Sequence, residues 1–199
     1  MVYIFLIMRV SADIAFKEWA IVVDALAQGE QIVILRKGGI SEKRGEFHAD
    51  HDAFWLFPTQ FHEAEQSVIA SKRPSLRELA ANAPREAVDI QYYAVADPVV
   101  QITDAATLRR LQGRHIWSET ILQQRFEFGR GAGLHALLVR VYRLPRAERL
   151  PLREEYGGCK SWITLERPIA GDVTPVLDDT DFARQRDAIL ELISEPCLR

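Results

Sequence analysis

The run Asp13 to Lys37 reads DIAFKEWAIVVDALAQGEQIVILRK. Phe16, Trp19, Ala20, Val23 and Leu26 recur at the helical period, so the spacing predicts an amphipathic helix from Asp13 to Gln28. Ser11 or Asp13 supplies an oxygen to cap its first turn, and Gly29 supplies the left-handed residue that stops it. Gln31 to Leu35 follows at once. It is rich in β-branched residues and reads as a buried strand. That strand ends in Arg36-Lys37-Gly38-Gly39, where two glycines reach backbone geometries that other residues avoid.

Outward from this run, helices and strands mix. A polar loop from Ser41 to Asp52 leads to Phe54-Trp55-Leu56-Phe57, a second strand that Pro58 terminates. Thr59 is placed to cap a helix through Ile69. Pro74 and Pro84 bracket a short helix at Leu76 to Asn82. Val88 to Val95 and Val99 to Ile102 read as strands, and Asp104 caps a short helix ending at Gly113. Thr120 to Phe128 and Leu134 to Leu144 flank Gly129-Arg130-Gly131-Ala132-Gly133, a hairpin signature. Along the second of these, alternation puts Arg140 on one face with Leu138 and Tyr142. Tyr156-Gly157-Gly158 turns into a strand from Ser161 to Glu166. Thr180 caps a closing helix striped by Phe182, Ile189, Leu190 and Ile193. No sustained β-α-β alternation appears. The expected class is therefore α+β, a mixed and mainly antiparallel sheet with flanking helices.

A chain of 199 residues most economically forms one domain. Any internal break is expected near 72–86, and residues 168–199 read as a peripheral tail with a terminal helix. Residues 1–7 read either as an edge strand or as an extension upstream of a start at Met8. The apolar run Val2 to Met8 is too short to span a bilayer, and no positive region precedes it. Apolar residues make up 48% and charged residues 27% of the chain, which excludes wholesale disorder. A net charge of −3 gives no global electrostatic reason to bind nucleic acid or membrane. Only Cys159 and Cys197 carry thiols, too few for a disulfide framework, and a reducing cytoplasm is the expected compartment.

Ionisable residues concentrate between Arg36 and His62, and three of the five histidines fall there. Loops between strand ends are where sites commonly form. Arg36 and Lys37 with Gly38 and Gly39 offer cations and free N–H groups to an anion. Arg140, Lys160 and Trp162 are candidates to join them in space. The alternative chemistry is a small hydrolase in which Glu42, Glu46, His51 and His62 act as acids, bases or metal ligands. A third possibility is an interaction protein without chemistry. No P-loop or dinucleotide fingerprint occurs. None of the five lysines follows an acidic residue at the two-position offset of restriction-type nucleases. His48-x-x-His51 in an extended chain points its rings to opposite faces, so no metal site is assigned. Cys159 reads as a packed cysteine rather than a nucleophile. No cofactor is indicated.

Two resemblances add to this. The helix, Gly29-Glu30-Gln31, and the strand ending in Arg36-Lys37 are similar to the opening of ASCH and related PUA-like domains, small modules associated with RNA. That resemblance implies a partly closed barrel, phosphate contacts from Arg36 and Lys37, a base stacked on Trp55 or Trp162, and RNA or DNA as partner. Lys17-Glu18-Trp19-Ala20, Leu35 to Ile40, Gly45-Glu46-Phe47, His51, Phe54, Leu56-Phe57-Pro58-Thr59 with His62, Arg140-Val141-Tyr142 and Gly157-Gly158-Cys159-Lys160-Ser161-Trp162 resemble an uncharacterised prokaryotic family, domain of unknown function 1802. The likeness runs from about Phe16 to Glu166 and implies membership without transferring an activity, cofactor or catalytic residue.

Overall fold

Strand β1 (Met8–Trp19) occupies half of the stretch expected to be helical. Ala15 and Phe16 are both fully buried on opposite faces, which only an extended chain between two packed layers allows. The computed structural model describes residues 7–37, 51–60, 65–129, 132–158 and 160–194 in full, and residues 42–43 and 46–47 by their backbone. Ala15 to Trp19 lie parallel to Trp55 to Thr59, and the other edge of β1 pairs antiparallel with residues 162–173. Ladder bonds on both sides outweigh the helical periodicity of Phe16 and Trp19.

The helix α1 is therefore shorter than expected, Ala20–Ala27. It is apolar almost all round, as suits a helix enclosed by the core. Gly29, with φ of 68°, ends it. Its N–H donates to Leu26 O at 3.1 Å while Glu30 N–H donates to Ala25 O at 3.0 Å, the paired bonds of a Schellman stop.

Strand β2 (Val33–Arg36) runs antiparallel to His135 to Leu138. The short strands β3 (Glu42–Lys43) and β4 (Glu46–Phe47) form a separate two-stranded ribbon. β5 (Ala53–Thr59) continues through Pro58, which sits opposite Glu18 near the strand's end. Thr59 closes that strand instead of opening a helix. Single 3₁₀ turns at Glu65–Ser67 and Ala70–Lys72 precede α2 (Arg73–Asn82). β6 (Ala87–Ile102) is one strand, irregular between Ile90 and Tyr92 and between Ala96 and Val99, where Pro98 cannot donate to the ladder.

Asp104 caps α3 (Ala105–Arg110), accepting from Thr107 N–H at 2.8 Å. α4 (Glu119–Glu127) replaces the expected first hairpin strand. Leu122 and Phe126, four residues apart, are its buried stripe. The glycines after it join helix to strand rather than strand to strand. β7 (Leu134–Pro151), β8 (Trp162–Pro175) and α5 (Asp179–Ser194) complete the chain. Asp178, not Thr180, caps α5, accepting from Asp181 N–H at 2.8 Å.

The sheet order is β2-β7-β6-β5-β1-β8, and β8 returns to β7. Tyr142 faces Pro175 and Arg143 faces Thr174 across that junction. The result is an α+β protein with a mainly antiparallel, partly closed barrel; among the described residues only β1 and β5 are parallel. Each strand of the ring sends residues into one apolar cluster, among them Ala15, Trp55, Ile90, Leu144 and Ile163. The opposite sheet face, with Phe16, Phe54 and Leu137, packs against α1, α4 and α5.

Candidate functional site

Glu18 is charged, yet only 2% of it is exposed. Burial on this scale requires partners. Oε1 accepts from Trp19 N–H at 2.8 Å, and Oε2 lies 3.4 Å from Nη1 of Arg36. Arg36 stands at the end of β2. Its Nη1 also donates to Lys17 O at 3.3 Å, and Nη2 donates to Ser161 Oγ at 2.7 Å. The guanidinium carbon lies 5.0 Å from the centre of the Phe16 ring. Thr59 Oγ1 donates to Glu18 O at 3.2 Å, which ties the ends of the parallel pair β1 and β5. Lys17 Nζ donates to Tyr156 O and Gly158 O at 2.7 and 2.8 Å and so holds the turn before Ser161.

Phe16 is also the floor under Trp162. Their ring centres are 4.7 Å apart, and Trp162 further meets Phe54 at 4.9 Å and His51 at 5.1 Å. Register explains the meeting, since Phe16 pairs with both Leu56 and Trp162. Trp162 is half-buried and its Nε1 has no hydrogen-bond partner among the described residues. Trp55 is different. It is fully buried and donates to Ala12 O at 3.0 Å, so it is core and cannot stack on a base.

The third component was not evident from sequence. Arg125 of α4 lies with its guanidinium carbon 3.9 Å from the Trp117 ring centre and 5.2 Å from that of Trp19. The two indoles meet edge-on at 5.0 Å. Burial lowers the pKa of Arg125 from the ordinary arginine value, the Glu18 charge opposes this, and the Arg36 charge adds to it. Reading 120–128 as a strand hid the helical spacing that aims Arg125 inward; Leu122 and Phe126 at helical spacing were the available signal.

The structure thus brings Arg36 and Trp162 against Phe16, with His51 against Trp162. Lys160 is exposed beside Ser161. Lys37 points elsewhere, donating to Phe126 O at 2.8 Å and Gly133 O at 3.0 Å, where it joins the end of α4 to the start of β7. Arg140 is not part of the cluster. It pairs with Asp179 and lies 5.3 Å from the Phe182 ring and 5.7 Å from that of Tyr142, which holds α5 against the sheet. Glu42 and Glu46 are placed by backbone alone, on facing strands of the β3–β4 ribbon. Gly38, Gly39, His48, Cys159 and His62 lie outside the described residues.

Residues 15–188 match the family described as Domain of unknown function (DUF1802). The chain belongs to that family. As a DUF1802 member it carries the cluster entirely within the matched segment, from Phe16 to Trp162. Comparison with curated proteins gives no match. Among solved structures it is similar to ASCH from Zymomonas mobilis, at 16% identity and a TM-score of 0.45, covering 92% of this chain and 96% of that one. Two point variants of that protein, a Tyr→Phe and a Ser→Ala, match at 16% identity with TM-scores of 0.44 and 0.43. They cover 87% and 88% of this chain, and 96% and 97% of theirs. Among the described residues no helix is long and apolar enough to cross a membrane.

Proposed function

We propose that this DUF1802 protein binds single-stranded nucleic acid, RNA or DNA, by drawing its phosphate backbone to the cationic cluster around Arg36 and stacking a base against Trp162. The observation that carries this is the shared floor. Arg36 and Trp162 both contact Phe16, so a cation and a half-buried indole share one aromatic neighbour. Base stacking beside a fixed arginine is the general device of single-strand binding and needs no particular sequence. The likeness of Gly29-Glu30-Gln31 and the strand ending in Arg36-Lys37 to the opening of RNA-associated ASCH domains supports the same function. A net charge of −3 is compatible with it, because a local cation cluster steers a polyanion within a Debye length.

The test is fluorescence anisotropy with short single-stranded RNA and DNA over a series of salt concentrations. Affinity is expected to fall linearly with log salt concentration, and Trp162→Ala to weaken binding about tenfold. Absence of salt-sensitive affinity for either nucleic acid overturns the proposal.

A further inference from the structure

Arg36 and Arg125 differ in what they have left to offer. A guanidinium has five N–H donors. Arg36 directs donors to Lys17 O, Glu18 Oε2 and Ser161 Oγ, and its side chain is only 22% exposed. Arg125 donates no hydrogen bond among the described residues. Its contacts are the Trp117 and Trp19 rings. Stacking of this kind fixes the plane of the guanidinium and leaves its edge, where all the N–H groups lie, unengaged. The ordering entropy of a long side chain is already lost in such a stack, so a ligand gains the fork at little further entropic cost.

Charge then limits the ligand. Arg36 and Arg125 set two cationic side chains against the one acidic side chain of Glu18, an excess of one positive charge within this trio. An internal phosphodiester carries a single negative charge and neutralises this cluster. A terminal phosphate carries close to two at neutral pH and leaves an excess charge next to the buried Glu18 carboxylate, where low polarisability makes it costly.

We infer that Arg125 is the direct phosphate ligand of this site and that it receives one internal phosphodiester of a single strand, with Arg36 as the residue that positions the cluster. This rests on the nucleic-acid function proposed above. It assigns to α4 a binding role and to the buried carboxylate a part in selecting a diester over a terminal phosphate or a free nucleotide.

The experiment is competition against a labelled single-stranded oligonucleotide, using a dinucleoside monophosphate (one diester, no terminal phosphate), adenosine monophosphate and inorganic phosphate. Arg125→Gln and Arg125→Lys are compared with the native protein, with thermal melting followed in parallel. The dinucleoside monophosphate is expected to be the best of the three competitors. Arg125→Gln is expected to bind about tenfold more weakly, with the salt slope reduced by about 0.7. Arg125→Lys should keep the slope and still lose affinity, because a point charge replaces a planar fork.

Native affinity in Arg125→Gln with an unchanged melting temperature overturns the inference while leaving the general function standing. Should Arg125→Gln fail to fold, native affinity in Arg125→Lys overturns it instead. Stronger competition by adenosine monophosphate or inorganic phosphate overturns the choice of a diester. No oligonucleotide binding by the native protein removes both proposals together.

Discussion

Arg36 Nη2 donates to Ser161 Oγ at 2.7 Å, joining residues 125 positions apart in the chain. The bond crosses from the end of β2 to the threshold of β8 and holds the guanidinium over Phe16. With Glu18 beneath it, Arg36 is both a structural partner and part of the candidate binding surface. These two roles separate experimentally.

Arg36→Met leaves the Glu18 carboxylate buried without its cation, and a loss of about 2–4 kcal/mol in folding stability is expected. Adding Glu18→Gln to that variant should restore more than half of the loss. Urea denaturation of the two single variants and the double variant measures the coupling. Additive losses would mean that Arg36 stabilises through its contacts with Lys17 and Ser161 rather than through Glu18.

Ser161→Ala removes one hydrogen bond from a residue that is 9% exposed, and should cost about 1 kcal/mol. Arg36 would then regain a donor and some freedom. Oligonucleotide affinity is expected to change less than stability does, and anisotropy beside urea denaturation checks this.

His115 is buried in the segment between α3 and α4, and burial pushes its imidazole pKa from the ordinary 6.5 down to about 4. The folded protein therefore keeps this histidine neutral where the unfolded chain would protonate it. The unfolded state binds the extra proton between the two values, so the full stability present above about pH 6.5 declines as pH falls toward 4. The decline reaches about 2 kcal/mol by roughly pH 5. Denaturation at neutral and mildly acidic pH should show this slope in the native protein and a shallower one in His115→Leu.

Gly29→Ala meets two obstacles. Its φ of 68° is disfavoured for a residue with a side chain, and an added Cβ would lie 2.6 Å from Leu177 Cδ2. The backbone alone accounts for about 1–2 kcal/mol. Leu177 precedes α5, and Gln185 of α5 donates to Gly29 O at 3.1 Å. Hydrogen exchange in α5 should accelerate along with the loss of global stability.

Asp179 and Arg140 should respond unequally. Asp179 is 86% exposed, so Asp179→Asn is expected to cost less than about 1 kcal/mol. Arg140→Ala also removes packing over Phe182 and Tyr142 and should cost more. Melting temperatures of the two variants decide it.

Asp104 as a cap, the end of α2 at Asn82 and the shared face of Arg140 and Tyr142 were all legible in the sequence because each depends on neighbours in the chain. Phe16 and Trp19 were misassigned because strand and helix periods overlap over so short a run, and pairing to β5 and β8 decides between them. Pairing is a property of residues far apart. The same limit applies to the site. Arg36, His51 and Trp162 stood out as polar or aromatic residues in distinctive motifs, and Glu18 as part of Lys17-Glu18-Trp19-Ala20, whereas Arg125 looks like an ordinary surface residue until the fold packs it against two indoles. Nothing local links Trp19, Trp117 and Arg125, which come together from three separate segments.

The junction of β7 and β8 has a consequence for how the barrel breathes. β6 and β7 run side by side from Ala87 to Ile102, while the closing seam rests on Tyr142 opposite Pro175 and Arg143 opposite Thr174. Proline has no amide hydrogen to give, and the next donor is Val176 N–H, to Val141 O at 2.9 Å. A hoop parts at its shortest overlap. Excursions that wet the interior around Leu144 and Val173 should therefore begin at this seam, swinging β8 away while the long β6–β7 ladder stays intact.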